Sequence, residues 1–121
     1  MTGKEEKFFE VLREYTGYCE KAGALLDSVV SGETDPEEGY ESLRLLKRQS
    51  RDVQGRLIER LYKAYREPAY ANEARSMVVR MDGIINGAKD IVNTLIVYHK
   101  EETCPEVIHV MTKLIRCAVS E

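Results

Sequence analysis

Four apolar stripes at helical spacing, separated by proline-marked breaks, constrain this chain more than any other feature of its 121 residues. Phe8, Leu12, Tyr15, Cys19, Ala22, Leu26 and Val29 recur at alternating steps of three and four, the period of one face of a bundled helix. Ser31 and Gly32 end that pattern, and Asp35-Pro36-Glu37-Glu38 opens a second with an N-cap, a proline at the first helical position and a carboxylate three residues after the cap. Leu43, Leu46, Val53, Leu57, Leu61 and Ala64 form its stripe. Pro68 stops it, and a third stripe runs through Ala74, Met77, Met81, Ile84, Ile85, Ala88, Ile91, Val92 and Leu95. Thr103-Cys104-Pro105-Glu106 is a further capping box, before a short helix with Val107, Val110, Met111, Leu114 and Ala118 on one side.

No β alternation persists, so the expected fold is all-α: an up-down antiparallel bundle of three long helices and a shorter fourth. The boundaries read as roughly 5–31, 36–66, 70–99 and 104–119, within a single domain covering 1–121. The fourth helix is little more than half as long as the others, so some apolar surface is expected to stay uncovered in a monomer. That predicts association, most simply as a homodimer.

Composition narrows the function classes. A net charge of -3 gives no general basis for nucleic-acid binding, and no interleaved aromatics accompany the basic residues. The N-terminus lacks an apolar signal core, and no apolar run reaches the length of a membrane span, so a cytoplasmic protein is expected. Cys19, Cys104 and Cys117 are odd in number and lack CxxC spacing, which reads as buried thiols in a reducing compartment. No glycine-rich phosphate loop, nucleophile set or pair of isolated carboxylates is present, so no enzyme activity is expected. Glu106 and His109 make a lone ExxH, where a di-iron bundle needs two copies and two more glutamates. His99 lies near a helix C-terminus, where a cation is favourable.

Two polar pairs at four-residue spacing stand out: Arg48 with Asp52, and Asp82 with Asn86. Each pair shares a helix face, and the two lie on either side of the turn at 66–70, so they are placed to meet across a helical hairpin. The surrounding runs, LRLLKRQSRDVQGRLIERLYKAYREP and RSMVVRMDGIINGAKDIVNTLIVY, resemble the PhoU-like phosphate-transport regulators, in particular the branch that accompanies Pit-type phosphate permeases. That family is built of three-helix repeats, normally two per chain, with an (E/D)xxxD motif on the second and third helices. The resemblance spans roughly 8–98 and implies a regulator of phosphate uptake, bound to a transporter or its signalling partner, with divalent or iron-type metal clusters on the bundle surface; this chain departs from it in carrying one repeat and a single extra helix.

The motif is degenerate here. Asp52, Asp82 and Asn86 occupy motif positions, but Arg48 stands where a carboxylate belongs. A cation about 5 Å from a divalent ion is repelled by roughly 6–7 kcal/mol at an effective dielectric of ~20, and two Asp with one Asn amide make a thin ligand set. The expectation is therefore that Arg48 neutralises Asp52 and Asp82 in place of metal, and that no cofactor is required. A metal-binding bundle using Asp52, Asp82 and Asn86 is the alternative, and a self-associating module without a phosphate role is another.

The second helix also carries a basic band that begins with Arg44, Lys47, Arg48 and Arg51 and runs on to Arg66. It reads either as a solvated face or as a docking surface for an acidic transporter loop, a phosphorylated ligand or anionic lipid head groups. Gly83 and Gly87 sit mid-helix, where each costs about 1 kcal/mol against alanine, and they predict a close approach of another helix.

Overall fold

The computed structural model describes residues 2–100 and 105–120, with side chains described to 98 and at 110 and 112–118. Its elements are α1 (Gly3–Val30), α2 (Pro36–Ala64), α3 (Pro68–Lys100) and α4 (Pro105–Ser120), with no strand among the described residues. The all-α bundle expected from the stripes is the fold observed. α1, α2 and α3 each pack against the other two, and α4 lies against α1.

Local chemistry accounts for the helix ends. Thr2 Oγ1 accepts from the Glu5 amide at 3.2 Å and caps α1. Asp35 caps α2 by accepting from the Glu38 amide at 3.4 Å, with Pro36 opening the helix as its sequence signal predicts. Between them Gly32 takes φ +85°, a left-handed conformation that L side chains rarely adopt. The turn is closed by the Glu33 and Thr34 amides on the Ser28 carbonyl and by a 2.5 Å hydrogen bond between the Ser28 and Thr34 hydroxyls. Gly39 follows at a tight crossing, where a Cβ would lie 2.3 Å from Val29 Cγ2.

The second turn differs from the expectation. α2 ends at Ala64 rather than near 66, with Tyr65 extended as its C-cap. Pro68 belongs to α3 as its first residue instead of lying in the turn before a helix at 70. A proline is well suited to that position, because a first-turn amide has no intrahelical acceptor. Phe8 meets Tyr65 edge-on at 5.5 Å between ring centroids, tying this turn to α1.

The stripes of α1 and α2 form the core largely as read: Phe8, Tyr15, Cys19, Ala22, Leu26 and Val29 are buried with Leu43, Leu46, Val53, Leu57 and Leu61, while Leu12 and Ala64 pack at the edge. α3 departs from its stripe. It buries Ala71, Val78, Ile85, Ala88 and Val92, whereas Met77 and Ile84 face solvent. Its apolar arc is wider than one interface uses. α4 departs too: Val110, Leu114 and Ala118 are exposed, and Ile115 on another side packs against the core. Cys104 and the side chains of His99, Glu106, Val107, His109 and Met111 lie outside the described residues. No described helix is long and apolar enough to cross a membrane.

Candidate functional site

The one cluster of interacting polar side chains inside the described bundle is assembled from all three long helices. α1 contributes Tyr15, fully buried in the middle of its stripe. α2 contributes Lys47, one position beyond the core residue Leu46, and α3 contributes Asp82 and Asn86, one turn apart on the side facing α2. The Lys47 ammonium donates to Asp82 Oδ1. Tyr15 Oη donates to the same oxygen at 3.3 Å, and Asn86 Nδ2 donates to Asp82 Oδ2 at 3.2 Å. Nearby, Cys19 Sγ donates to the Met81 carbonyl at 3.5 Å, and the buried Ser50 hydroxyl donates to the Lys47 carbonyl at 2.8 Å.

This layer is shielded rather than sealed: the Lys47 and Asp82 side chains retain 12% and 22% of their exposure. Burial pushes the Tyr15 hydroxyl well above the ordinary tyrosine range, with the Asp82 charge, the Cys19 thiol and the hydrogen bond to Asp82 adding to it. The Cys19 thiol is also raised, first by burial and then by the charges of Asp82 and Glu20. Neither group is activated as a nucleophile, since both are held in their protonated forms. Among the described side chains, no buried nitrogen or oxygen lacks a hydrogen-bond partner. The contact joins α2 to α3 and, through the Tyr15 hydroxyl, to α1, and removing Lys47 would leave Asp82 without its cation.

The polar pairs named in the sequence do not assemble as expected. Asp82 and Asn86 do meet, but Lys47 rather than Arg48 supplies the cation. Adjacent residues on a helix point about 100° apart. With Leu43, Leu46, Ser50 and Leu57 inward, Lys47 borders the core and Arg48 points to solvent. Asp52 is exposed on the outer side, where its charge acts on Arg56. The candidate metal set of Asp52, Asp82 and Asn86 is therefore divided between the surface and the interior. The remaining pair does not suit a divalent ion: an ammonium, a hydroxyl and an amide already donate to the Asp82 carboxylate, and Asn86 presents its nitrogen there. No group of three His, Cys, Asp or Glu side chains is gathered in metal-binding fashion among the described residues.

Three further expectations need correction. Gly83 and Gly87 are not helix-contact positions among the described residues, since a Cβ built on either meets nothing within 4 Å. The close-contact glycine is Gly39, which the sequence does not distinguish from the others except by its place one turn after a capped helix start. The basic band also divides. Lys47 turns inward, while Arg44, Arg48 and Arg51 stay exposed on the outer side of α2. Arg44 reaches Glu41 at 3.1 Å, whereas Arg48 and Arg51 have no ionic partner among the described residues. Cys117 is exposed, not buried as its pattern predicts.

No family model, no curated protein and no solved structure matches the chain.

Proposed function

We propose that this protein works by binding another protein, without catalysis of its own, and that its docking surface is the outer face of α2 centred on Arg48 and Arg51. The supporting observation is that these two guanidinium groups stand exposed side by side with Arg44, without an ionic partner for either among the described residues. Guanidinium groups presented in this way suit carboxylates or phosphates, which accept two parallel N–H donors. The polar interior offers no competing chemistry, because Asp82 is already neutralised by Lys47 and Tyr15 stays protonated.

The narrower reading is a cytoplasmic, PhoU-like regulator of phosphate transport that docks on an acidic loop of a phosphate permease or its signalling partner, with peripheral contact to the membrane. It rests on the sequence resemblance, and the exposed arginines are compatible with it. The test is affinity purification of tagged protein from solubilised membranes of phosphate-replete and phosphate-starved cells, alongside an Arg44→Glu/Arg48→Glu/Arg51→Glu variant. Recovery of a phosphate permease with the native chain and its loss with the variant would support both readings. Recovery of an unrelated acidic partner, lost in the same variant, would retain the binding face and remove the phosphate role. Equal recovery with both chains would overturn the assignment of the face.

A further inference from the structure

α3 carries more apolar surface than the bundle uses. Ala71, Val78, Ile85 and Val92, seven residues apart, point into the core. A second series, Tyr70, Ala74, Met77, Met81, Ile84, Ala88, Ile91 and Leu95, follows unbroken alternating steps of four and three, the pattern of a two-helix seam. Tyr70, Met77 and Ile84 within it are 60%, 40% and 51% exposed. Asp82 faces α2, and Met77 and Ile84 lie roughly 140–160° around the helix from it, so this series is remote from the α2 arginines. α4 does not reach its Tyr70 end. Arg116 contacts the Val30 carbonyl at one end of the bundle, whereas Tyr70 lines a hollow with Lys4 and Lys7 at the other.

The charges beside the seam select its occupant. Glu73 and Arg80 border Met77, Met81 and Ile84, and neither has an ionic partner among the described residues. They fall on either side of Met77, and Tyr70 and Ile84 are each seven residues from it. A two-fold axis at Met77 therefore superposes the patch on itself with opposite charges facing. In a parallel pair the same flanking positions lie on opposite sides of the seam, so neither Glu73 nor Arg80 would meet an opposite charge.

We propose that a second copy of this chain docks on α3 in antiparallel orientation about Met77, with Tyr70 against the second copy's Ile84 and Glu73 paired with its Arg80. The overlap from Tyr70 to Ile84 is about 21 Å of helix, a short interface, so a dimer in the micromolar range is expected. The proposal is independent of the α2 docking face.

The test is sedimentation of the full chain between about 5 and 200 μM, a range spanning weak dimers. Four variants accompany it: Ile84→Glu, Glu73→Arg, Arg80→Glu and the double Glu73→Arg/Arg80→Glu, each checked for native helicity and melting. Ile84→Glu should leave a folded monomer. Each single reversal should weaken dimerisation about tenfold, equivalent to ~1.4 kcal/mol, and the double reversal should restore it. A native chain that stays monomeric throughout, a dimer indifferent to Ile84→Glu, or a double variant as weak as the singles would each overturn the proposal.

Discussion

Lys47 of α2 and Asp82 of α3 form an ion pair on the border of the core, with the Tyr15 hydroxyl of α1 bonded to the same carboxylate oxygen. The pair is more valuable for what its loss strands than for its own attraction, because an unpaired carboxylate in this setting is poorly hydrated. Lys47→Met is expected to destabilise by about 2–3 kcal/mol, below the full cost of breaking a buried pair because both groups keep some exposure. Lys47→Met/Asp82→Leu should lose less than Lys47→Met alone. Arg48→Ala, one residue away but exposed, should change stability by less than about 0.5 kcal/mol. Urea unfolding of the four proteins decides the point, and an Arg48→Ala loss exceeding that of Lys47→Met would refute it.

Alkaline pH should expose the same layer. Tyr15 and Cys19 are both raised in the folded chain and both neutral when protonated, so the native state holds protons that the unfolded chain releases. Their contribution is full below about pH 9, falls as the pH rises past the ordinary cysteine value, and falls further beyond pH 10, where tyrosine in the unfolded chain ionises. The limiting slope is about 1.4 kcal/mol per pH unit for each group. Melting temperatures measured from pH 7 to 11 should decline accordingly, and Tyr15→Phe should flatten the steeper part while costing about 1 kcal/mol at neutral pH. An unchanged slope in Tyr15→Phe would assign the effect elsewhere.

The elements that one stripe describes completely are those the sequence makes legible. In α1 and α2 the apolar positions repeat on a single face, and Asp35-Pro36 fixes where the second helix starts, so their core residues follow from periodicity. α3 is apolar over a wider arc, and periodicity does not say which edge of that arc the neighbours cover. The site failed at a finer scale: Lys47 and Arg48 differ by one position, and aligning a motif favours Arg48 where the phase set by Leu43, Leu46 and Leu57 favours Lys47. Tyr15 was visible as a stripe residue, but its hydroxyl partner is 67 positions away and no local pattern encodes it.

The glycines offer a direct contrast between a contact and an open face. An alanine Cβ at Gly39 would sit 2.3 Å from Val29 Cγ2, and a β-branched neighbour has little freedom to move aside. Gly39→Ala is expected to cost about 1–3 kcal/mol. Gly83→Ala and Gly87→Ala meet no atom within 4 Å and should each stabilise the helix by up to about 1 kcal/mol. Thermal melts of the three variants test both signs, and destabilisation by Gly83→Ala at low protein concentration would contradict the open face.

α4 separates two neighbouring apolar residues whose roles the helical pattern reverses. Leu114 belongs to the side read as inward from the sequence, yet it is exposed, while Ile115 packs against the core. Truncating Ile115 removes apolar contact area at the one α4 side chain packed on the core among the described residues, so Ile115→Ala should cost about 1–2 kcal/mol and increase amide exchange throughout α4. Leu114→Ala should stay within about 0.5 kcal/mol, because its side chain gives up little contact and alanine favours the helix. Arg116, which donates to the Val30 carbonyl at 3.5 Å, is a long and weak contact and should behave as Leu114 does when replaced. Chemical denaturation combined with hydrogen exchange distinguishes these outcomes. Equal losses from Leu114→Ala and Ile115→Ala would mean that α4 turns its other face to the bundle in solution.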